Sequence, residues 1–138
     1  KPILIIEPGT ALVANAMKYV TKIVSIKTIQ DRTIATLFGS TYNINPCANR
    51  KKMPIEVYTE DKSNQKEYKN VYFGGYTCIE SDYLYREYEG KLTVGDYIVF
   101  DEVGAYSVVM KPPFIMPQVA VVEPLENNDF IVIKRKEK

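Results

Sequence analysis

Val20-Thr21-Lys22-Ile23-Val24-Ser25-Ile26-Lys27-Thr28-Ile29 has no helical spacing. It is rich in β-branched residues, and two alternating sets run along it without a break, which is the pattern of a strand. Asp31-Arg32 supplies a turn, and residues 33–38 read as the partner strand. The same reading extends outward in both directions. Further strands are predicted at 54–59, 70–77, 96–100 and 105–110, with Val94-Gly95-Asp96 as the turn before the third of these. Residues 118–123 and 130–134, joined through Asn127-Asn128-Asp129, read as a closing hairpin. Residues 39–52 are expected to form a loop. The charged stretch 60–69, which has no aliphatic residue, is expected to be a solvated connection. Upstream, residues 11–19 suit one short helix with Thr10 as its N-cap. About seven or eight short strands imply a mainly β fold, a barrel or sandwich with one short N-terminal helix. The tail 134–138 is expected to fray.

The chain has 138 residues, 46% hydrophobic and 25% charged, which suits one domain with its own core. Lys plus Arg number 18 against 17 acidic residues, so the net charge of +1 offers no field for a nucleic acid. No apolar stretch approaches the roughly 20 residues that span a bilayer, which argues against membrane insertion. The absence of His removes the commonest general base and metal ligand, and with it His-based hydrolytic and zinc chemistry. Two cysteines, Cys47 and Cys78, make neither a disulfide framework nor a zinc site. With no signal peptide, the expectation is a reducing, cytoplasmic compartment. The chain opens at Lys1 and runs straight into Pro2-Ile3-Leu4-Ile5-Ile6, which suggests a piece of a longer protein.

Chemistry-bearing residues fall in four places. Glu7 ends the first apolar run and precedes Pro8-Gly9; such an acid is either a strand end meeting water or a site built where glycine lets backbone approach a ligand. Cys78 lies in Gly74-Gly75-Tyr76-Thr77-Cys78-Ile79-Glu80-Ser81-Asp82, as a small hydrophobe or a reactive thiol. Tyr83, Tyr85 and Tyr88 alternate with charges and suit core packing or an interface. Tyr106, in Gly104-Ala105-Tyr106, can donate to an anion, and Phe114, after Lys111-Pro112-Pro113, can wall a pocket or fill a core.

Together these segments resemble the C-terminal region of the fold type III pyridoxal-phosphate-dependent decarboxylases, which act on ornithine, diaminopimelate, arginine and carboxynorspermidine. Four blocks carry the resemblance: Glu7-Pro8-Gly9-Thr10 with Leu12-Val13-Ala14, residues 75–82 with Cys78 and Asp82, Leu92-x-Val94-Gly95-Asp96-x-x-Val99-Phe100, and Gly104-Ala105-Tyr106 followed by Phe114. The resemblance implies an alanine racemase C-terminal-like β-barrel domain over residues 20–138. Residues 1–19 would be the end of a (β/α)8 barrel domain, with the strand 3–6 and a crossover helix. By this resemblance the rest of that barrel, with the lysine that carries pyridoxal 5'-phosphate, would lie outside this chain.

By the same resemblance Glu7 pairs with the pyridine nitrogen of the cofactor, while Gly9, Thr10 and Tyr106 serve its phosphate. Cys78 returns a proton to the substrate carbon, and Asp82, Ile79 and Phe114 line the substrate pocket. No metal is implied. The resemblance further implies a homodimer with shared sites, in which Cys78, Asp82, Tyr106 and Phe114 act in the neighbour's site and Glu7 and Gly9 in their own. Two departures bear on this. Thr10 stands where the family usually has Arg, and a hydroxyl does not match a bidentate guanidinium. Ile79 stands where ornithine and diaminopimelate decarboxylases place an acid, which makes those two substrates less expected; the expected substrate is a diamino acid or a carboxylated polyamine precursor, with the closer resemblance to carboxynorspermidine decarboxylase. The competing reading is a non-catalytic β-barrel binding or assembly module; a third is a relative that keeps the fold but racemises or only binds the cofactor.

Overall fold

The computed structural model describes residues 2–44 and 52–136, so the 45–51 part of the expected loop, with Cys47, lies outside the described residues, as does the 137–138 end of the expected tail. A short helix α1 (Thr10–Val13) runs into a 3-10 turn (Ala14–Ala16). There follow β1 (Tyr19–Ile29), β2 (Arg32–Leu37), β3 (Ile55–Tyr58), β4 (Lys66–Gly74), β5 (Tyr83–Leu92), β6 (Tyr97–Phe100), β7 (Val121–Pro124) and β8 (Phe130–Lys134). The first six strands form one sheet in the order β3-β6-β1-β2-β4-β5, and β7 and β8 form a separate hairpin. All pairs are antiparallel except β2 with β4.

β1 is the hinge of this architecture. Its first residues, Tyr19 to Lys22, pair with β6, and its remainder pairs with β2, with a register shift between Ile23 and Ser25. A bulge bends and twists a strand, so one long strand serves both halves of a sheet that curls into a barrel-like wall. Side chains of alternate residues meet inside: Tyr19 and Ile23 from β1, Ala35 and Leu37 from β2, Val71 and Phe73 from β4, Leu84 and Leu92 from β5, Ile98 and Phe100 from β6. Tyr85 and Tyr88 pack on Phe73 at 6.2 and 5.2 Å between ring centroids, so these two tyrosines belong to the core.

Four expectations need correction. Residues 66–69 are strand, not connection: Lys66, Glu67 and Lys69 keep their side chains in water while the backbone pairs with β5, so their charge masked a strand edge. β5 itself was not anticipated, because its register shifts and the positive φ of Glu87 (60°) and Gly90 (152°) break the two-residue period. Residues 105–110 are turns, with the Met110 N–H donating to Tyr106 O at 2.9 Å and Tyr106 at φ 66°. Thr10 is the first helical residue; Gly9 is the cap, and no side chain caps it.

Among the described residues, apolar side chains face outward in runs near both ends of the chain. Ile3, Leu4, Ile5 and Ile6 are 87, 86, 81 and 71% exposed, and none of residues 2–8 pairs with a strand of this chain. On β8, Phe130, Ile131, Val132 and Ile133 are all exposed, so both faces of the hairpin are apolar and open. No helix among the described residues is long and apolar enough to cross a membrane.

Candidate functional site

Gly9 and Tyr106 come together from opposite ends of the chain. The 103–104 segment docks on the N-terminal turn through Val103 N–H to Met17 O at 3.3 Å and Gly104 N–H to Ala14 O at 2.9 Å. Any β-carbon on Gly104 would drive into the Val13 carbonyl, so only glycine allows this approach. The chain then turns sharply, the Ser107 hydroxyl donating to Val103 O, and Tyr106 is held with its ring half exposed. A β-carbon on Gly9 would stand 3.5 Å from the Tyr106 hydroxyl. The two residues expected to serve a phosphate are thus neighbours within one chain. The resemblance puts Tyr106 and Gly9 in different subunits' sites, whereas within this one chain they lie side by side. Glu7 and Thr10 flank this corner, both exposed.

Cys78 is an exposed free thiol at the apex of a closed loop. Gly75 N–H donates to Asp82 O at 2.8 Å, and Asp82 N–H donates to Ile79 O at 3.0 Å, which seals the loop's base. Asp82 is 4% exposed. Its Oδ1 accepts from the Thr41 N–H and hydroxyl, both at 2.9 Å. Its Oδ2 accepts from Ser40 Oγ at 2.8 Å, Thr77 Oγ1 at 2.6 Å and the Thr77 N–H at 3.3 Å. A carboxylate enclosed by that many donors has no face left for a ligand, so Asp82 does not line the distal end of a pocket as the resemblance implied. Ile79 is half-buried, with its N–H donating to Thr77 Oγ1 at 3.3 Å.

Phe114 stands at the apex of a second tight loop. Met116 N–H donates to Phe114 O at 2.7 Å across Ile115, whose φ of 63° is a strained value for a β-branched residue. Gln118, 4% exposed, donates through Nε2 to Pro112 O at 3.0 Å and closes the loop from below. The Phe114 ring lies 5.3 Å from Tyr42. Tyr42 follows Ser40, whose Oγ accepts its N–H at 3.1 Å. Sequence reasoning missed Tyr42, Ser40, Thr41 and Thr77. Ser-Thr after Gly39 marks a turn, and nothing in the sequence says which distant carboxylate it meets. Nearby, burial raises Tyr19 and Tyr76 above the ordinary phenol range; the Tyr19 hydroxyl donates to Asn43 Oδ1 at 3.1 Å.

Comparison with known proteins places this geometry in context. Residues 10–104 match the family described as pyridoxal-dependent decarboxylase, C-terminal sheet domain. The chain is 29% identical over 145 residues to diaminopimelate decarboxylase of Buchnera aphidicola subsp. Schizaphis graminum, covering 96% of this chain and 35% of that protein. It is 29% identical over 136 residues to the Vibrio cholerae diaminopimelate decarboxylase, covering 97% of this chain and 32% of that protein. The chain therefore spans about a third of the length of the curated relatives it matches. In fold it is similar to diaminopimelate decarboxylase from M. jannaschii in complex with L-lysine, with a TM-score of 0.81 at 24% identity over 100% of this chain and 31% of that one. The arginine decarboxylase of Paramecium bursaria Chlorella virus is similar with a TM-score of 0.65 at 18% identity, over 79% of this chain and 30% of that one.

Proposed function

Since this chain belongs to the family of pyridoxal-dependent decarboxylase C-terminal sheet domains, we propose that it is the β domain of a pyridoxal-phosphate-dependent amino-acid decarboxylase, catalytic once joined to a (β/α)8 barrel. Residues 1–19 end that barrel and cross over, and residues 20–138 are the β domain. The open apolar run from Ile3 to Ile6 supports this division, because a barrel strand is buried by its neighbours. The enzyme is a cytoplasmic homodimer.

The observation that carries the reading is the meeting of Gly9 with the Tyr106 hydroxyl. Gly9 offers backbone with no side chain in the way, and Tyr106 is half exposed and aims a donor at the same spot, which suits a phosphate. Thr10 adds a hydroxyl where a guanidinium would add charge. When bound, pyridoxal phosphate would supply an electron sink for the pair left on the substrate carbon as carbon dioxide departs. Glu7 holds the proton on the pyridine nitrogen, Cys78 returns a proton to the substrate carbon, and Ile79 and Phe114 shape the pocket. An aliphatic Ile79 leaves the distal charge of a short basic amino acid unmatched, so the preferred substrate in the diamino-acid class is longer or carries a carboxylate on a polyamine chain.

The test is carbon dioxide release by the full-length protein with pyridoxal phosphate from carboxynorspermidine, meso-diaminopimelate, ornithine, lysine and arginine. Release from carboxynorspermidine ahead of ornithine supports the reading. High turnover of ornithine or meso-diaminopimelate at low concentration refutes the role of Ile79. No release from any of the five, with no cofactor retained, leaves a non-catalytic binding module.

A further inference from the structure

We propose that Asp82 is a positioning residue that sets the loop carrying Cys78 and Ile79 and touches no substrate itself. The proposal rests on the reading of Cys78 as proton donor. Five donors converge on the Asp82 carboxylate, from Ser40, Thr41 and Thr77. Two of those residues lie far back along the chain, between β2 and β3, and the third is the immediate neighbour of Cys78. The carboxylate therefore ties the Cys78 loop to a foreign segment of backbone.

Thr77 works in both directions. Its hydroxyl donates to Asp82 Oδ2 and accepts the Ile79 N–H, so the residues on either side of Cys78 are both referred to one carboxylate. Gly75 is part of the same device, since a β-carbon there would collide with the Asp82 carboxylate. On the far side, Ser40 donates to Asp82 and accepts the N–H of Tyr42, whose ring packs on Phe114. A contiguous chain of contacts thus runs from Cys78 through Asp82 to Phe114. Proton return needs its donor within hydrogen-bond reach of the reacting carbon, and a misplacement of about 1 Å can cost about a hundredfold in rate. A buried carboxylate gripping five donors is a stiff means of holding an otherwise exposed apex.

The experiment uses the full-length holoenzyme and two readouts: carbon dioxide release from the five compounds named above, and the rate of Cys78 alkylation by iodoacetamide, followed by mass spectrometry. Asp82→Asn and Thr77→Val are expected to lower kcat about tenfold or more, whether or not KM also rises, and to change the alkylation rate several-fold, while Thr77→Ser stays near wild type on both. In a Cys78→Ala background, adding Asp82→Asn is expected to leave residual kcat within about twofold, because the group being positioned is already gone. A loss equal to the product of the two single effects, a raised KM with kcat unchanged, or an unaltered Cys78 alkylation rate in Asp82→Asn would each overturn the proposal. Full activity in Cys78→Ala overturns the proton-donor reading and this proposal with it. A dead Cys78→Ala beside a fully active Asp82→Asn overturns this proposal alone. Should Asp82→Asn fail to fold, Thr77→Val carries the same cycle.

Discussion

The Tyr106 hydroxyl stands 3.5 Å from where a β-carbon of Gly9 would be, so a residue at the end of the six-stranded sheet's sequence completes a corner begun before its first strand. If that corner holds the cofactor phosphate, Tyr106→Phe removes one hydrogen bond to a charged group. Such bonds contribute about 1.5–3 kcal/mol, so cofactor affinity is expected to fall roughly tenfold to a hundredfold. Equilibrium dialysis of the full-length apoenzyme against pyridoxal phosphate measures it, and an unchanged affinity removes Tyr106 from the site.

If Tyr106 serves the same site as the Gly9 beside it, subunit mixing should tell the residues apart. Glu7→Gln mixed with Cys78→Ala is expected to regain roughly a quarter of wild-type activity, since about half of randomly exchanged isologous dimers carry one intact site of two. Glu7→Gln mixed with Tyr106→Phe should regain nothing if both residues serve one subunit. Recovery in the second mixture would return Tyr106 to the neighbour's site.

Gly104→Ala forces a methyl group into the Val13 carbonyl. Overpacking of this kind costs about 1–3 kcal/mol, and the local relief available is to lift the 103–106 segment off the N-terminal turn. Urea unfolding of the 138-residue chain should show the loss. The full-length variant should also bind pyridoxal phosphate more weakly, because Tyr106 moves with the segment. A variant as stable as wild type would mean that the turn gives way freely.

Lys18 Nζ lies 2.8 Å from Asp101 Oδ2, and this partner holds the Asp101 carboxyl below the usual range while raising Lys18 above its own. A depressed carboxyl contributes stability that is present above its unfolded value of about 3.9 and is lost as pH falls through its folded value. Lys18→Met should therefore lower the urea midpoint at about pH 7 and have a smaller effect at about pH 3. Equal effects at the two pH values would show that Lys18 acts through its aliphatic stem and not its charge.

The first hairpin was legible in the sequence because its β-branched alternation and its turn are both local. β4 began earlier than its composition suggested, since Lys66, Glu67 and Lys69 only needed water on the outer face. β5 escaped notice because bulges shift which side chains face inward. At the site, short motifs pointed to Cys78, Tyr106 and Phe114, where residue type alone hints at chemistry. The grip of Ser40 and Thr41 on Asp82 was not legible, because it exists only when two loops distant in sequence close on each other. The same closure is what supports reading Asp82 as an anchor and not as a pocket residue.

β6 lies between β3 and β1 in the sheet, although it is synthesised after both. Among the described residues β3 has no other neighbour in the sheet, so on the ribosome it would wait unpaired until Tyr97 to Phe100 had emerged. The β1 and β2 hairpin can form at once around a local turn. The crossover to the parallel β4 and the insertion of β6 both close long loops before their contacts can repay the lost entropy. Pairing of this non-local kind is expected to come late, on the millisecond-to-second scale of such β topologies. A nascent chain halted short of Tyr97 exposes β3 as a bare edge, open to capture by any other unpaired strand.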